Sequence, residues 1–82
     1  MEIKAFTLTG CSSCKHLKEL FSRAEVSYRE YIVGKDLEVI EFNNLYPGIR
    51  SFPYVVIDGE PVGGLVETVK LFVKEGLVSS KK

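Results

Sequence analysis

Cys11 and Cys14 are the only thiols in this chain, and two serines, Ser12 and Ser13, separate them. A pair at this spacing suits thiol–disulfide exchange: one thiolate attacks a target disulfide, and the second sulfur displaces the target from the mixed disulfide. As a structural staple the pair is poor, because a loop this small gains only about 2 kcal/mol in the chain-entropy model, before strain. A short secreted chain would carry a framework of several disulfides instead. A zinc site needs four ligands, and His16 is the only histidine available to join the two cysteines. Haem attachment requires histidine directly after the second cysteine, where Lys15 stands.

Where the pair sits decides how the thiols divide the work. Glu2 to Leu8 reads as a strand, Thr9-Gly10 breaks it, and Ser12 to Ala24 reads as a helix. Along that helix Cys14, Leu17, Phe21 and Ala24, with Leu20 beside them, follow the spacing of one apolar face. Cys14 is therefore expected to be shielded and to resolve. Cys11, at the helix mouth, is expected to be exposed and to attack. The helix dipole contributes about 0.3–1 kcal/mol at an exposed end, whereas a tenfold gain in thiolate needs about 1.4 kcal/mol. The dipole alone falls short, so hydrogen bonds from the Ser13 and Cys14 amides and the serine hydroxyls must supply the rest. His16, Lys15 and Lys18 read as solvated helix residues, Lys15 adding a modest cation near the thiols.

The remaining elements frame this junction. Ser27 to Val33 reads as a second strand ended by Gly34, and Asp36 as the N-cap of a second helix running to about Leu45. In that helix Leu37, Ile40, Phe42 and Leu45 share no narrow stripe, and Pro47-Gly48 closes it. Tyr54 to Ile57 is a third strand, Asp58-Gly59 a hairpin turn, and Glu60 to Gly63 a short returning strand whose Pro61 suits an edge. Gly64 opens a last helix with Leu65, Val69, Phe72 and Val73 on one face and Gly76 at C′. The order β-α-β-α-β-β-α predicts an α/β domain: a four-stranded mixed sheet flanked by helices. Its first crossover is right-handed with parallel strands, and its hairpin is antiparallel.

Composition bounds the setting. The 82 residues imply one domain over residues 1–78, with 79–82 as a solvated tail. Hydrophobic residues make up 45%, with five Phe and four Tyr, enough for a core. Eleven basic and eleven acidic side chains balance, which argues against a nucleic-acid partner. The longest apolar runs, Tyr54–Ile57 and Val69–Val73 broken by Lys70, are far short of the roughly 20 residues that span a bilayer. The first residues lack the apolar core of a signal peptide, so the expected location is cytoplasmic, and the expected state a monomer that needs no metal.

Taken together, Cys11-Ser12-Ser13-Cys14 after the first strand, Arg50-Ser51-Phe52-Pro53 before the third, and Gly63-Gly64 before the last helix resemble a glutaredoxin. The resemblance covers nearly the whole chain. It implies a thioredoxin-like fold, glutathione as reductant, and disulfide-containing proteins, such as a ribonucleotide reductase, as partners. By the same resemblance Ser51, Phe52 and Pro53 match a Thr-Val-Pro segment with a cis proline, whose backbone pairs with an incoming peptide. Gly63, Gly64 and Leu65 match the segment that meets the γ-glutamyl carboxylate of glutathione. Three departures stand out. Ser12-Ser13 replaces the usual Pro-Tyr, Leu8 stands where a lysine often meets a glutathione carboxylate, and Leu65-Val66-Glu67 follows the glycine pair without the usual aspartate. Arg50 and Lys15 are the cations left to compensate. The departures motivate two rival readings: a redoxin reduced by a thioredoxin-reductase-type enzyme, and a dimer holding an iron–sulfur cluster through Cys11 and glutathione. A binding-only role is a further alternative.

Overall fold

The computed structural model describes residues 2–49 and 51–78. Arg50 and the tail 79–82, both singled out in the sequence, lie outside the described residues. Seven elements follow in order: β1 (Ile3–Thr7), α1 (Ser12–Ala24), β2 (Arg29–Ile32), α2 (Val39–Leu45), β3 (Tyr54–Ile57), β4 (Glu60–Gly63) and α3 (Leu65–Lys74). The strands form one mixed sheet in the order β2-β1-β3-β4. β1 is central, parallel to β2 and antiparallel to β3, and β3 pairs antiparallel with β4. Pro61, which cannot donate to a ladder, lies on the edge strand β4.

Alternation along the two inner strands builds two cores. Ile3 and Ala5 of β1 and Val55 and Ile57 of β3 face Leu17, Phe21 and Phe72 from α1 and α3. Phe6, Tyr54 and Val56 point to the other face and pack with Val33 and with Phe42 of α2. Every residue of β3 is buried, as expected for a strand covered on both sides. The hairpin turn uses positive φ at both Asp58 (52°) and Gly59 (80°), the pattern of a tight two-residue loop. Asp58 also ties the turn to the start of the chain, donating its N–H to Glu2 C=O at 2.8 Å and accepting from Glu2 N–H at 2.7 Å.

Four expectations differ from the structure: the Asp36 cap, the end of the second strand, the start of the second helix and the inner face of the last one. Asp36 is not a helix cap. Its carboxylate accepts from the Ile32 N–H at 2.9 Å, and its own N–H, with that of Lys35, donates to the Ile32 carbonyl. A left-handed Gly34 (φ 95°) and a bridge between Val33 and Leu37 complete that turn, so β2 ends at Ile32 and Leu37 falls outside the helix. α2 begins after Glu38, whose N–H donates to Glu41 at 3.0 Å. Val69, expected on the inner face of α3, is 36% exposed, and Thr68 is buried in its place. The hydroxyl of Thr68 donates to the Gly64 carbonyl at 2.8 Å, which lets a polar side chain occupy the core.

One backbone feature has a measurable consequence. Glu25 closes α1 in the left-handed conformation (φ 56°, ψ 43°), where its Cβ is unfavourable. Glu25→Gly, at the position where helices prefer glycine, is expected to stabilise the domain by about 0.5–1 kcal/mol. Thermal unfolding should shift upward by a few degrees, roughly 2–8 °C for a domain of this size.

Candidate active site

The helix-start geometry places the two thiols unequally. Cys11 is the N-cap of α1, in extended conformation (φ −92°, ψ 115°), and its sulfur accepts the Cys14 N–H at 3.1 Å. An N-cap side chain reaches the third helical residue in this way, and here the capping atom is the nucleophilic sulfur itself. Of the two amides expected to help, this bond is made by Cys14 rather than Ser13. Cys11 is half-buried, whereas Cys14 is 3% exposed among the core residues of α1. Burial pushes the Cys14 thiol up to about 11, with the hydrogen bond and charge of Cys11 adding to the effect. A hydrogen bond from the Leu8 backbone and the Lys18 charge act in the opposite direction.

The loop before β3 faces Cys11. The Cys11 sulfur lies 3.9 Å from the Phe52 carbonyl oxygen, to which it donates, and the Phe52–Pro53 bond is cis. Ser51 is exposed and Pro53 buried. The Phe52 ring packs on Phe42 at 5.2 Å between centroids, against the Phe6 and Phe42 core. A large aromatic is therefore accommodated here because α2 offers it a partner, while the backbone keeps its place beside Cys11.

The glycine pair adjoins the same loop. A Cβ on Gly64 would lie 3.4 Å from the Pro53 carbonyl oxygen, at van der Waals distance, so the start of α3 adjoins the loop before β3. Gly63 has φ 126°, and a Cβ there would meet the Glu67 side chain at 3.0 Å. Leu65 is half-buried against the core and opens α3. The carboxylate of Glu67 accepts the Gly64 N–H at 3.0 Å. The start of α3 thus already carries a negative charge from the chain itself, a role that the acidic residue's spacing after Gly64 signals as a capping box.

A second group lies beside Cys14. Glu30 of β2 accepts from the Thr7 hydroxyl at 2.8 Å and pairs with Lys18 at 2.8 Å. Partial burial pushes the Glu30 carboxyl up, but the Lys18 and Thr7 hydrogen bonds outweigh it and hold the group below the usual carboxylate range. The Glu30 hydrogen bond correspondingly raises Lys18. Lys18, expected to be solvated, stays exposed at its end of this pair, while nothing in the local sequence marks Thr7 or Glu30 as its neighbours. Their meeting depends on the parallel register of Ala5 opposite Glu30, which no local pattern encodes.

Comparison with known proteins bears directly on this arrangement. The family model described as Glutaredoxin matches residues 3–62. The chain is 30% identical over 78 residues to the mitochondrial glutaredoxin-2 of Mus musculus, covering 87% of this chain and 47% of that protein. It spans about half the length of that relative. A buckwheat glutaredoxin solved as a glutathione complex superposes with a TM-score of 0.74 at 26% identity, over 92% of this chain and 70% of that one. Glutaredoxin 1 from Francisella tularensis, complexed with cacodylate, shares the fold with a TM-score of 0.71 at 24% identity, over 93% of this chain and 95% of that one. The fold is thioredoxin-like, and the chain carries a CxxC-like pair, Cys11 and Cys14. The chain belongs to the glutaredoxin family of thiol oxidoreductases.

Proposed function

We propose that the protein reduces protein disulfides and glutathione mixed disulfides with Cys11 as nucleophile, Cys14 as resolving thiol and glutathione as electron donor. The observation that carries this reading is the asymmetry of the pair: a Cys11 sulfur that caps a helix and lines an open cleft, and a Cys14 whose burial pushes its thiol up. The Cys11 thiolate attacks a target sulfur, the other target sulfur leaves as thiolate and takes a proton from water. Cys14 then loses its proton to water and attacks the Cys11 sulfur, releasing the second target thiol and forming the Cys11–Cys14 disulfide. Two glutathione molecules return the pair to dithiol and leave as glutathione disulfide.

The neighbours of Cys14 time the second step. Two of the influences that keep its proton on, the hydrogen bond and the charge of Cys11, vanish once Cys11 is tied into a mixed disulfide. Burial remains, so Cys14 resolves as a weak acid. Release of a thiol from a Cys11 mixed disulfide should accelerate up to about tenfold per pH unit and still be rising at pH 9, followed by rapid-quench kinetics. A plateau reached by pH 7 would contradict this.

Glutathione as donor draws support from the buckwheat relative, whose structure is of a glutathione complex, and from the position of Gly64, which opens α3 beside the loop that carries Pro53. Ser51, Phe52, Pro53, Gly63, Gly64 and Leu65 are the proposed glutathione and substrate contacts. Leu8 offers no charge there, and Glu67 places a carboxylate at the start of α3. Glu67→Gln should therefore lower the KM for glutathione about threefold at low salt, with little effect at high salt. The same two residues favour the rival reading of a redoxin served by a flavoprotein reductase. Turnover coupled to glutathione and its reductase is expected; turnover with a thioredoxin-reductase-type enzyme alone would overturn the donor assignment. The proposed targets are disulfide-containing proteins such as a ribonucleotide reductase, met by a monomer in the reducing cytoplasm.

A further inference from the structure

Beside the dithiol, a cleft of about 560 Å³ opens between the end of β1, the start of α1 and β2. Because β1 lies between β2 and β3, this cleft is on the opposite side of the Cys11 junction from the loop that precedes β3. Both Cys11 and Cys14 line it. Its charged side chains are Lys15 and Lys18 from α1, Lys35 from the turn after β2, and a single acid, Glu30. Lys18 and Glu30 satisfy each other at 2.8 Å, and among the described residues Lys15 and Lys35 have no carboxylate within 4.0 Å. Over the whole chain basic and acidic residues balance at eleven each, so the excess of cations is local to this cleft. Leu8, 40% exposed, and Ile32 add apolar surface between the charges.

We propose that this cleft docks an acidic stretch of the disulfide-bearing polypeptide, so that a carboxylate flanking the target cysteine meets Lys15 and Lys35. The proposal rests on Cys11 as the attacking thiol. Once a target cysteine approaches Cys11, the chain on one side of it runs beside the Phe52 carbonyl, and the chain on the other side lies over the cleft. An acidic residue there is held near the Lys15 and Lys35 ammonium groups by the same geometry that delivers the sulfur. A small anion gains less, since it lacks the sulfur that Cys11 would anchor beside the lysines. The polypeptide is therefore the occupant that the site favours.

The test compares two peptides joined by a disulfide to a chromogenic thiol, one with Asp residues flanking the cysteine and one with Asn in their place. At low salt kcat/KM should favour the Asp peptide about fivefold, and 0.5 M salt should erase the preference. Lys35→Glu should abolish or invert the preference while the rate with the Asn peptide changes less than about twofold. Equal rates with both peptides, or a preference indifferent to salt and to Lys35→Glu, would overturn the proposal. The salt dependence of the unaltered protein reads the effect without any substitution. Absence of turnover with either peptide overturns the dithiol reading and this one with it; turnover without preference overturns this one alone.

Discussion

Cys11→Ser should stop thiol–disulfide exchange, lowering turnover on the order of a thousandfold or more, while Cys14→Ser should stop only part of it. The difference follows from the roles that the helix start imposes. Cys11 is the sulfur that lines the open cleft, and it accepts the Cys14 N–H at the start of α1. A serine hydroxyl at that place still caps α1, so the loss is chemical rather than structural. Cys14 is buried and acts only after a mixed disulfide exists. Without it, reduction of a protein disulfide stalls with the target attached to Cys11, whereas a glutathione mixed disulfide is still turned over by free glutathione. Steady-state assays with both substrate types, and intact-mass detection of the stalled adduct, separate the two roles. Retained protein-disulfide turnover in Cys11→Ser would place the nucleophile elsewhere.

The largest effect on stability should come from Phe21→Ala. Phe21 is fully buried at the contact of α1 with α3, its ring 4.4 Å from that of Tyr28 and 5.7 Å from that of Phe72. Truncating a buried phenylalanine costs about 3–5 kcal/mol through lost contact and the cavity left behind. An ordinary domain of this length has roughly 4–12 kcal/mol in all, so much of the stability goes. Urea unfolding should show a midpoint far lower with little change in slope. Phe21→Leu, which keeps most of the volume, should lose only a minor fraction. A loss below about 1 kcal/mol in Phe21→Ala would mean that α3 repacks to close the gap.

How legible the molecule was in its sequence varied with the kind of signal. α1 was readable from Ser12 to Ala24 because its apolar period, its break at Gly10 and its start at the dithiol all agree. The hairpin was readable because Asp58-Gly59 has few other uses. Asp36 misled, since an aspartate after a glycine caps helices and turns alike; the preference was decided by the free Ile32 N–H at the strand end. Val69 misled because hydropathy ranks valine above threonine, yet Thr68 buries a hydroxyl that the Gly64 carbonyl satisfies. α2 showed no narrow stripe because only Phe42 is buried, leaving Val39, Ile40 and Leu45 mostly exposed.

The candidate site divides the same way. Cys11 and Cys14 announced themselves by spacing, and the helical phase of Cys14 with Leu17 and Phe21 foretold its burial. The place of the Phe52 backbone beside Cys11 came only through the family resemblance, and the nearness of Gly64 to Pro53 came only with the structure, since residues so far apart share no local pattern. The Thr7–Glu30–Lys18 group and the cleft that it borders required the sheet register.

Attack by Cys11 and resolution by Cys14 both depend on the inequality of the two thiols. The direct measurement is to treat the fully reduced protein at neutral pH with less than one equivalent of iodoacetamide and to map the label by mass spectrometry. With Cys14 buried and its thiol pushed up to about 11, labelling should fall on Cys11 by roughly tenfold or more. Equal labelling, or label on Cys14 first, would contradict the assignment of attacker and resolver.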